Sequence, residues 1–406
     1  MGVTIAAIGP EQVRAFLATT QMAFGYDSDS EERVERFSSL FEPDRSRAAF
    51  DGDTIVGTLG TFSLEMTVPG GVLPCGGTTI VSVLPTHRRR GILRSMMDAH
   101  FQDVRDRSEP IVALWAADSA IYGRFGYGCA AQSTEVEISR QHNRFHRLAP
   151  APSPVRLVDP EEARNLLPPL YDSVRRDVPG FFARTETWWR NRRFHDDPSS
   201  RQGSSALRYA VAESGGDVGG YVQYRFKEDW SSGHGEGTLS VRELIGTDPA
   251  SLAGLWAFIL NHDLTGKIVA SLLSVEDPIF ELLEGPRRAS RKVSDSLWVR
   301  VMDPKAALEG RSYSDEAGTV IELRDPLDTT ASRWRLDLSP QGAEVSPTAD
   351  TAQVTMDLED LGACYMGWSR FRALGRAGRL VGEPDHLAAL DRAFAWSPLP
   401  WCPEVF

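Results

Sequence analysis

At 406 residues the chain is too long for one ordinary hydrophobic core, so two or three domains are expected; 41% hydrophobic and 25% charged residues is the balance of a soluble globular protein. Its 44 basic and 56 acidic side chains leave a net charge of −12, which argues against nucleic acid as the main partner and suits a cationic substrate. The start has no basic segment followed by a long apolar one, and no window approaches the length of a membrane span, so a cytoplasmic protein without a membrane partner is expected. Cys75, Cys129, Cys364 and Cys402 lie far apart with no C-x-x-C pair, which indicates neither a metal site nor a disulfide framework.

Thr4 to about Leu40 reads as a strand and then helices, interrupted by Phe24-Gly25-Tyr26-Asp27 ahead of Asp29-Ser30-Glu31-Glu32. A helix start accounts for the acids; the sharper expectation is a substrate-side loop carrying Phe24, Tyr26 and Asp27. Asp51-Gly52 between Ala48–Phe50 and Thr54–Gly57 signals a β-hairpin, and Val68-Pro69-Gly70-Gly71 marks a second turn.

The most informative stretch begins at Val81-Ser82-Val83-Leu84-Pro85-Thr86-His87 and continues into Arg88-Arg89-Arg90-Gly91-Ile92-Leu93. A β-branched run ends at a proline, three arginines and a glycine follow, and Leu93, Met96, Met97, His100, Phe101 and Val104 then recur at helical spacing. Such a strand–loop–helix aims free N–H groups and the positive end of the helix dipole at one point, a site for phosphate or pyrophosphate. Basic triplets also occur on solvated helix starts. Here, however, cations at a helix N-terminus oppose the macrodipole unless an anion binds.

Ile111–Ala116 is a second apolar run of buried-strand length, followed by Asp118-Ser119-Ala120-Ile121-Tyr122-Gly123-Arg124-Phe125-Gly126-Tyr127-Gly128. Two parallel strands joined by a helix put both strand ends at one sheet edge, so the arginine loop and Tyr122 are expected to face a common cleft. The competing reading makes Tyr122 and Tyr127 packing residues with satisfied hydroxyls.

Ala149-Pro150-Ala151-Pro152-Ser153-Pro154 reads as a linker. Beyond it the pattern repeats: a strand at Val155–Val158, a helix from Glu161 to about Val174, a hairpin across Gly215-Gly216, and Leu239–Ile245 ahead of an amphipathic helix. The connecting residues are now Gly246-Thr247-Asp248-Pro249. An aspartate there caps a helix and repels a pyrophosphate, so this reads as a second acyltransferase-like fold without cofactor binding. A third, α+β unit is expected from near Ser296, with strands at Thr319–Leu323, Trp334–Leu338 and Val354–Leu358. The tail from Trp396 to Phe406 carries two tryptophans, a terminal phenylalanine and three prolines, and so is expected to be packed.

Arg88-Arg89-Arg90-Gly91-Ile92-Leu93 resembles the acetyl-CoA loop of the GNAT acyltransferase superfamily (Q/R-x-x-G-x-G/A), departing from it where Leu93 replaces a small residue. Together with Pro85-Thr86-His87 before it and Ile121–Gly128 after it, the stretch resembles the enhanced-intracellular-survival (Eis) aminoglycoside N-acetyltransferases, and the likeness extends over the whole chain. The resemblance implies a mixed α/β fold of two tandem GNAT-like domains, at 1–150 and 151–292, followed by a sterol-carrier-like α+β domain at 293–406 whose terminus enters the N-terminal active site. It implies acetyl-CoA as co-substrate, Tyr122 as general acid, with nearby and also phenolic Tyr127 as the runner-up, and the α-carboxylate of Phe406 as general base. Val81, Ser82 and Val83 would pair with the pantetheine arm; Arg88, Arg89, Arg90, Gly91, Ile92, Leu93 and Arg94 would hold the pyrophosphate; Ala117 and Asp118 would flank the arm. Glu404 would add negative potential beside the amine. The expected reaction is acetylation of cationic amines, aminoglycosides at more than one position, in a homohexamer. Lysine side chains of proteins or peptides are the alternative substrate, and a non-catalytic lipid or sterol carrier is the alternative of another class.

Overall fold

The computed structural model describes residues 2–26, 31–231, 233–328 and 330–406. By internal contacts it divides into two units: Met1–Ala131, Ser296–Ser397 and Val405–Phe406 form one, Gln132–Asp295 and Pro398–Glu404 the other.

The first unit holds a seven-stranded sheet in the order Thr4–Ala7, Arg47–Asp51, Thr54–Val68, Gly71–Val83, Ile111–Trp115, Leu297–Val301, Gly128–Cys129. Every neighbouring pair is antiparallel except Gly71–Val83 with Ile111–Trp115. The expected turns are present, with Gly52 at φ 61° and Gly70 at φ 66°, backbone that glycine adopts without Cβ strain. The helix Ile92–Asp106 buries Ile92, Met96, Met97, His100, Phe101 and Val104. Leu93, expected on that face, is half-buried instead.

The second unit repeats the arrangement. Its sheet runs Val155–Val158, Arg208–Ser214, Asp217–Lys227, Gly237–Gly246, Thr265–Leu273, Gln132–Ser139, Ser290–Asp295, again with one parallel step, between Gly237–Gly246 and Thr265–Leu273. In both sheets the sixth strand is inserted between the parallel pair and the edge. In the first sheet that strand, Leu297–Val301, comes after the bulk of the second unit in the chain; in the second sheet it is Gln132–Ser139, which precedes everything else there.

The first 150 residues therefore do not supply a complete sheet, and the run at Ser296–Val301 does not begin the third region as the sequence pattern suggests. All five residues of Leu297–Val301 are buried. A run that is apolar at every position but Arg300 marks a buried strand but not the sheet that owns it.

The remaining sheet of the first unit runs Gly342–Pro347, Ser332–Ser339, Ala317–Arg324, Val354–Asp357, Val381–Gly382, with helices at Pro304–Glu309, Leu358–Tyr365, Phe371–Arg376 and Pro384–Phe394. Among the described residues no helix is long and apolar enough to cross a membrane.

A fragment of residues 1–150 lacks the strand that separates Ile111–Trp115 from Gly128–Cys129. It is expected to show no cooperative urea transition by circular dichroism, where the full chain shows one. Cooperative unfolding of the fragment from a state with native-like near-UV signal would contradict this assignment of the strand.

Candidate active site

The site starts from a local defect in the first sheet. Gly71–Val83 pairs with Ile111–Trp115 from Cys75↔Ile111 to Thr78↔Leu114, and the ladder stops there. On its other side the register slips: Gly60 opposes Thr79 and Thr58 opposes Ser82, leaving Ile80 and Val81 opposite Leu59. This is a β-bulge, and Ile80 sits in it at φ 43°, a conformation that β-branched residues rarely adopt. Gly60 makes the room, since a Cβ there would lie 2.9 Å from Ile80 Cγ1. Beyond the bulge, residues 81–83 have no partner strand on the Ile111–Trp115 side among the described residues, so their backbone groups can pair with an extended ligand.

The loop after this strand turns through Arg89 at φ 63° and Gly91 at φ 80° into the helix Ile92–Asp106, which starts with no side-chain cap. Its first-turn N–H groups therefore stay available to an anion. Arg88, Arg89 and Arg90 are exposed, and among the described residues none pairs with a carboxylate; Arg88 Nε donates to the Val83 carbonyl at 3.2 Å. His87 is held by Asp51 Oδ2 (3.2 Å) and Thr86 Oγ1 (2.8 Å). In the second unit the corresponding helix, Pro249–Leu260, is capped by Asp248, whose carboxylate accepts from the Ser251 N–H (2.9 Å) and hydroxyl (2.6 Å). A capped, negatively charged helix start does not take a phosphate.

Strand, loop and helix open onto a cleft of about 710 Å³ within the first unit. Of the residues singled out from sequence, Val81, Ser82, Val83, Arg88, Arg89, Gly91, Ile92, Leu93, Arg94, Ala117, Tyr122 and Phe24 line it. Tyr26, Arg90, Asp118, Glu404 and Phe406 are not in its wall; the Asp118 carboxylate accepts from the Ala120 N–H at 3.0 Å. Tyr26 stacks beside Phe24, ring centroids 6.5 Å apart. Asp27, named with them, lies outside the described residues. The sequence reading gave no role to Ala23, Ile121, Arg124, Phe125, Pro326 and Leu327, which also line the cleft. Arg124 was within reach, as one more cation beside Tyr122, whereas no local signal marks Pro326 and Leu327.

The two tyrosines have different surroundings. Tyr122 is 6% exposed at the cleft, and among the described residues its hydroxyl has no hydrogen-bond partner. Burial, reinforced by Asp118, pushes its pKa up to about 12. Tyr127 meets it edge-on at 5.9 Å but is sealed in the core, its hydroxyl 3.1 Å from Thr78 Oγ1. Thr78 in turn meets His100 Nε2 at 2.9 Å, and His100 Nδ1 meets Thr61 Oγ1 at 3.1 Å. Burial, then the charges of Arg45, Arg47 and Arg300, lowers the His100 pKa to about 3. His100 is thus a neutral core group below the site.

The tail is packed, as its composition suggests. In the second unit the Trp401 indole donates to the Leu272 carbonyl (2.6 Å), its N–H donates to Pro179 O (2.8 Å), and its ring meets Phe181 at 5.0 Å. Glu404, 4% exposed, lies in the same unit at 2.9 Å from Arg184, 3.7 Å from Arg192 and 3.8 Å from Arg193. Burial alone would raise its pKa; those arginines win and hold it below the usual carboxylate range. Its negative charge is therefore already engaged by cations. Phe406 belongs to the first unit, 6% exposed, with its ring 3.4 Å from where a Cβ on Gly77 would stand.

Residues 4–130 match an acetyltransferase (GNAT) domain family, residues 180–301 a second acetyltransferase (GNAT) domain family, and residues 304–403 a sterol carrier protein domain family. The chain is 34% identical over 362 residues to the N-acetyltransferase Eis of Mycobacterium tuberculosis, covering 85% of this chain and 84% of that one. It is 37% identical over 390 residues to an uncharacterized N-acetyltransferase of Streptomyces avermitilis, covering 95% of both. The crystal structure of Eis1 from Mycobacterium abscessus superposes with a TM-score of 0.84 at 28% identity, covering 100% of each chain.

His100 gives the fold a pH dependence of known sign. Its folded pKa lies below the ordinary 6.5, so below that pH the unfolded chain takes up a proton that the folded chain does not. The stability is fully present above pH 6.5 and is lost as pH falls toward 3, at up to about 1.4 kcal/mol per pH unit. Urea unfolding at pH 6.5 and pH 5 is expected to lose roughly 2 kcal/mol more in the wild type than in His100→Gln. Equal losses would assign the pH dependence to other groups.

Proposed function

The chain belongs to the Eis family of GNAT N-acetyltransferases, and on that premise we propose that it transfers acetyl from acetyl-CoA to primary amines of cationic substrates, aminoglycosides at more than one position, with Tyr122 as general acid and the Phe406 α-carboxylate as general base. The observation that carries this reading is the cleft in which an unpaired strand edge, an uncapped helix start, carboxylate-free arginines and Tyr122 come together.

These residues fit acetyl-CoA, whose use the GNAT domains imply. The edge at Val81 and Val83 offers backbone donors and acceptors to the amides of the pantetheine arm. The first-turn N–H groups after Gly91, with Arg88 and Arg89, offer donors and positive charge to the pyrophosphate. When bound, the co-substrate supplies an acetyl thioester, from which the amine takes the acyl group as the thiolate departs.

Tyr122, with its pKa near 12, is protonated throughout the neutral range and can deliver its proton to a leaving thiolate whose conjugate acid has a pKa of about 8.5. The substrate ammonium, pKa around 10, must lose a proton before it attacks. Two histidines are poorly suited to take it: His87, in the turn after the strand and in the cleft wall, is tied to Asp51 and Thr86, and His100 on the helix is sealed in the core. The terminal carboxylate, with an α-carboxyl pKa of about 3.5, stays ionised; it can attract the ammonium and relay its proton through water. The net charge of −12 suits a polycationic substrate. The same reading takes the working form to be a cytoplasmic homohexamer.

Thiol release from acetyl-CoA, measured with untagged protein on aminoglycosides, diamines and lysine peptides, tests this. More than one equivalent released per aminoglycoside is expected. Tyr122→Phe should lower kcat by about 10² to 10⁴ with the KM for acetyl-CoA nearly unchanged, and removal of Phe406 should lower turnover while leaving CoA binding intact. Wild-type rates in both variants would overturn the assigned acid and base.

A further inference from the structure

One wall of the cleft comes from the region that matches a sterol carrier protein. Pro326 and Leu327 line the same space as Arg94, Arg124 and Phe125. Leu327 is half-buried and packs against the core cluster that contains Ile92, Tyr122 and Phe125. Its carbonyl accepts from the Arg94 guanidinium at 3.5 Å. Arg94 stands on the first turn of the helix whose open N-terminus is the phosphate site.

The turn is held in place by a buried cation. Arg300, 1% exposed, donates to both Asp325 carboxylate oxygens, at 3.2 Å and 2.5 Å, and to the Phe125 carbonyl at 2.7 Å. Its guanidinium lies over the Phe101 ring at 4.6 Å. Asp325 shapes the turn as well, accepting from the Leu327 N–H at 3.0 Å through its side chain and from the Asp328 N–H at 3.1 Å through its carbonyl. Gly126 completes the clamp: at φ 77°, any Cβ there would stand 2.2 Å from the Arg300 guanidinium. One arginine thus joins the segment just after Tyr122 to the turn Asp325–Leu327, and both border the cleft.

The order of chemistry along the cleft fixes what this wall meets. Tyr122 stands at the acyl end, the Val81–Val83 edge follows the pantetheine arm, and the helix start takes the pyrophosphate. What remains at Arg94 is the nucleotide. An adenine needs an apolar surface on one face, and a sugar phosphate needs cations. Pro326 and Leu327 supply the first. Arg94 and Arg124 supply the second: among the described residues Arg124 has no carboxylate partner, and the nearest to Arg94 is Asp98 at 3.9 Å.

We propose that the turn Asp325–Leu327 of the sterol-carrier-like region is part of the acetyl-CoA site, where Leu327 and Pro326 cover the adenosine phosphate end between Arg94 and Arg124, and that the Arg300–Asp325 pair is its positioning element. This rests on the reading of the cleft as the acetyl-CoA site. It gives the carrier-like region a part in the transfer reaction that requires no bound lipid.

The test uses the full-length protein, with CoA and adenosine 3′,5′-bisphosphate as probes. The bisphosphate carries the nucleotide end of CoA without the arm. In Leu327→Ser, the KM for acetyl-CoA and the inhibition constant of the bisphosphate are each expected to rise about five- to tenfold, with the KM for the amine unchanged; Leu327→Met is expected to restore both. Asp325→Asn, which weakens the clamp but keeps the turn's polar group, should move the same two constants in the same direction. Wild-type values for both probes in Leu327→Ser would overturn the proposal. So would a rise for acetyl-CoA with none for the bisphosphate, since the turn would then meet the arm. If the wild-type protein binds no CoA, it is the reading of the cleft that fails.

Discussion

The active cleft depends on two parallel strands that are made to part. Gly71–Val83 and Ile111–Trp115 share four paired positions and then separate, because a bulge at Ile80 bends one of them away. A β-branched residue at positive φ costs on the order of 1–3 kcal/mol, and the long hairpin with Thr54–Val68 on the other side supplies the pairing that holds it there. From that parting follow the free backbone edge, the loop that starts the helix at Gly91, and the position of Tyr122 beyond the second strand. Continued pairing to Val83 would close the cleft.

Charge pairing distinguishes structural arginines from ligand-facing ones. Arg45 with Glu109 and Arg184 with Glu243 are buried, bidentate pairs, and buried Arg300 makes a bidentate pair with half-buried Asp325. Arg88, Arg89 and Arg124 at the cleft have no carboxylate partner among the described residues, in a protein with an excess of acids. Leaving cations unpaired beside a helix N-terminus is unfavourable until an anion arrives. The second unit shows the opposite choice at the matching position, where Asp248 caps its own helix.

Features encoded locally were legible in the sequence. The strand, arginine loop and helix are where the residue pattern puts them, the repeat in the second unit is real, and Gly215-Gly216 turns the hairpin it signals. What was not legible depends on partners far away in the chain. A run such as Leu297–Val301, apolar but for Arg300, announces burial without naming its sheet, and the Gly342–Pro347 strand is too polar to stand out. Glu404 reads as a loose acid near the terminus until its arginines, some 210 to 220 residues earlier in the chain, are brought to it by folding. Leu327 lines the cleft from a turn whose Asp325 is bonded to Arg300, two residues that sit 25 positions apart in the chain.

The connections between the units carry a consequence for how such a chain could arise. The first unit's chain breaks off at Ala131 and resumes at Ser296, and those two residues are hydrogen-bonded, Ser296 N to Ala131 O at 3.1 Å. The inserted stretch likewise begins and ends side by side, Gln132 paired with Asp295 in adjacent strands. Topologically, the second unit is a circular permutant of the first, set into the tip of one hairpin and starting with the strand that its host places last. Closely spaced termini are what make permutation and domain insertion tolerable. A tandem duplication yields this strand order in one event when each copy takes the other's last strand into its own sheet, with both hydrophobic cores left whole.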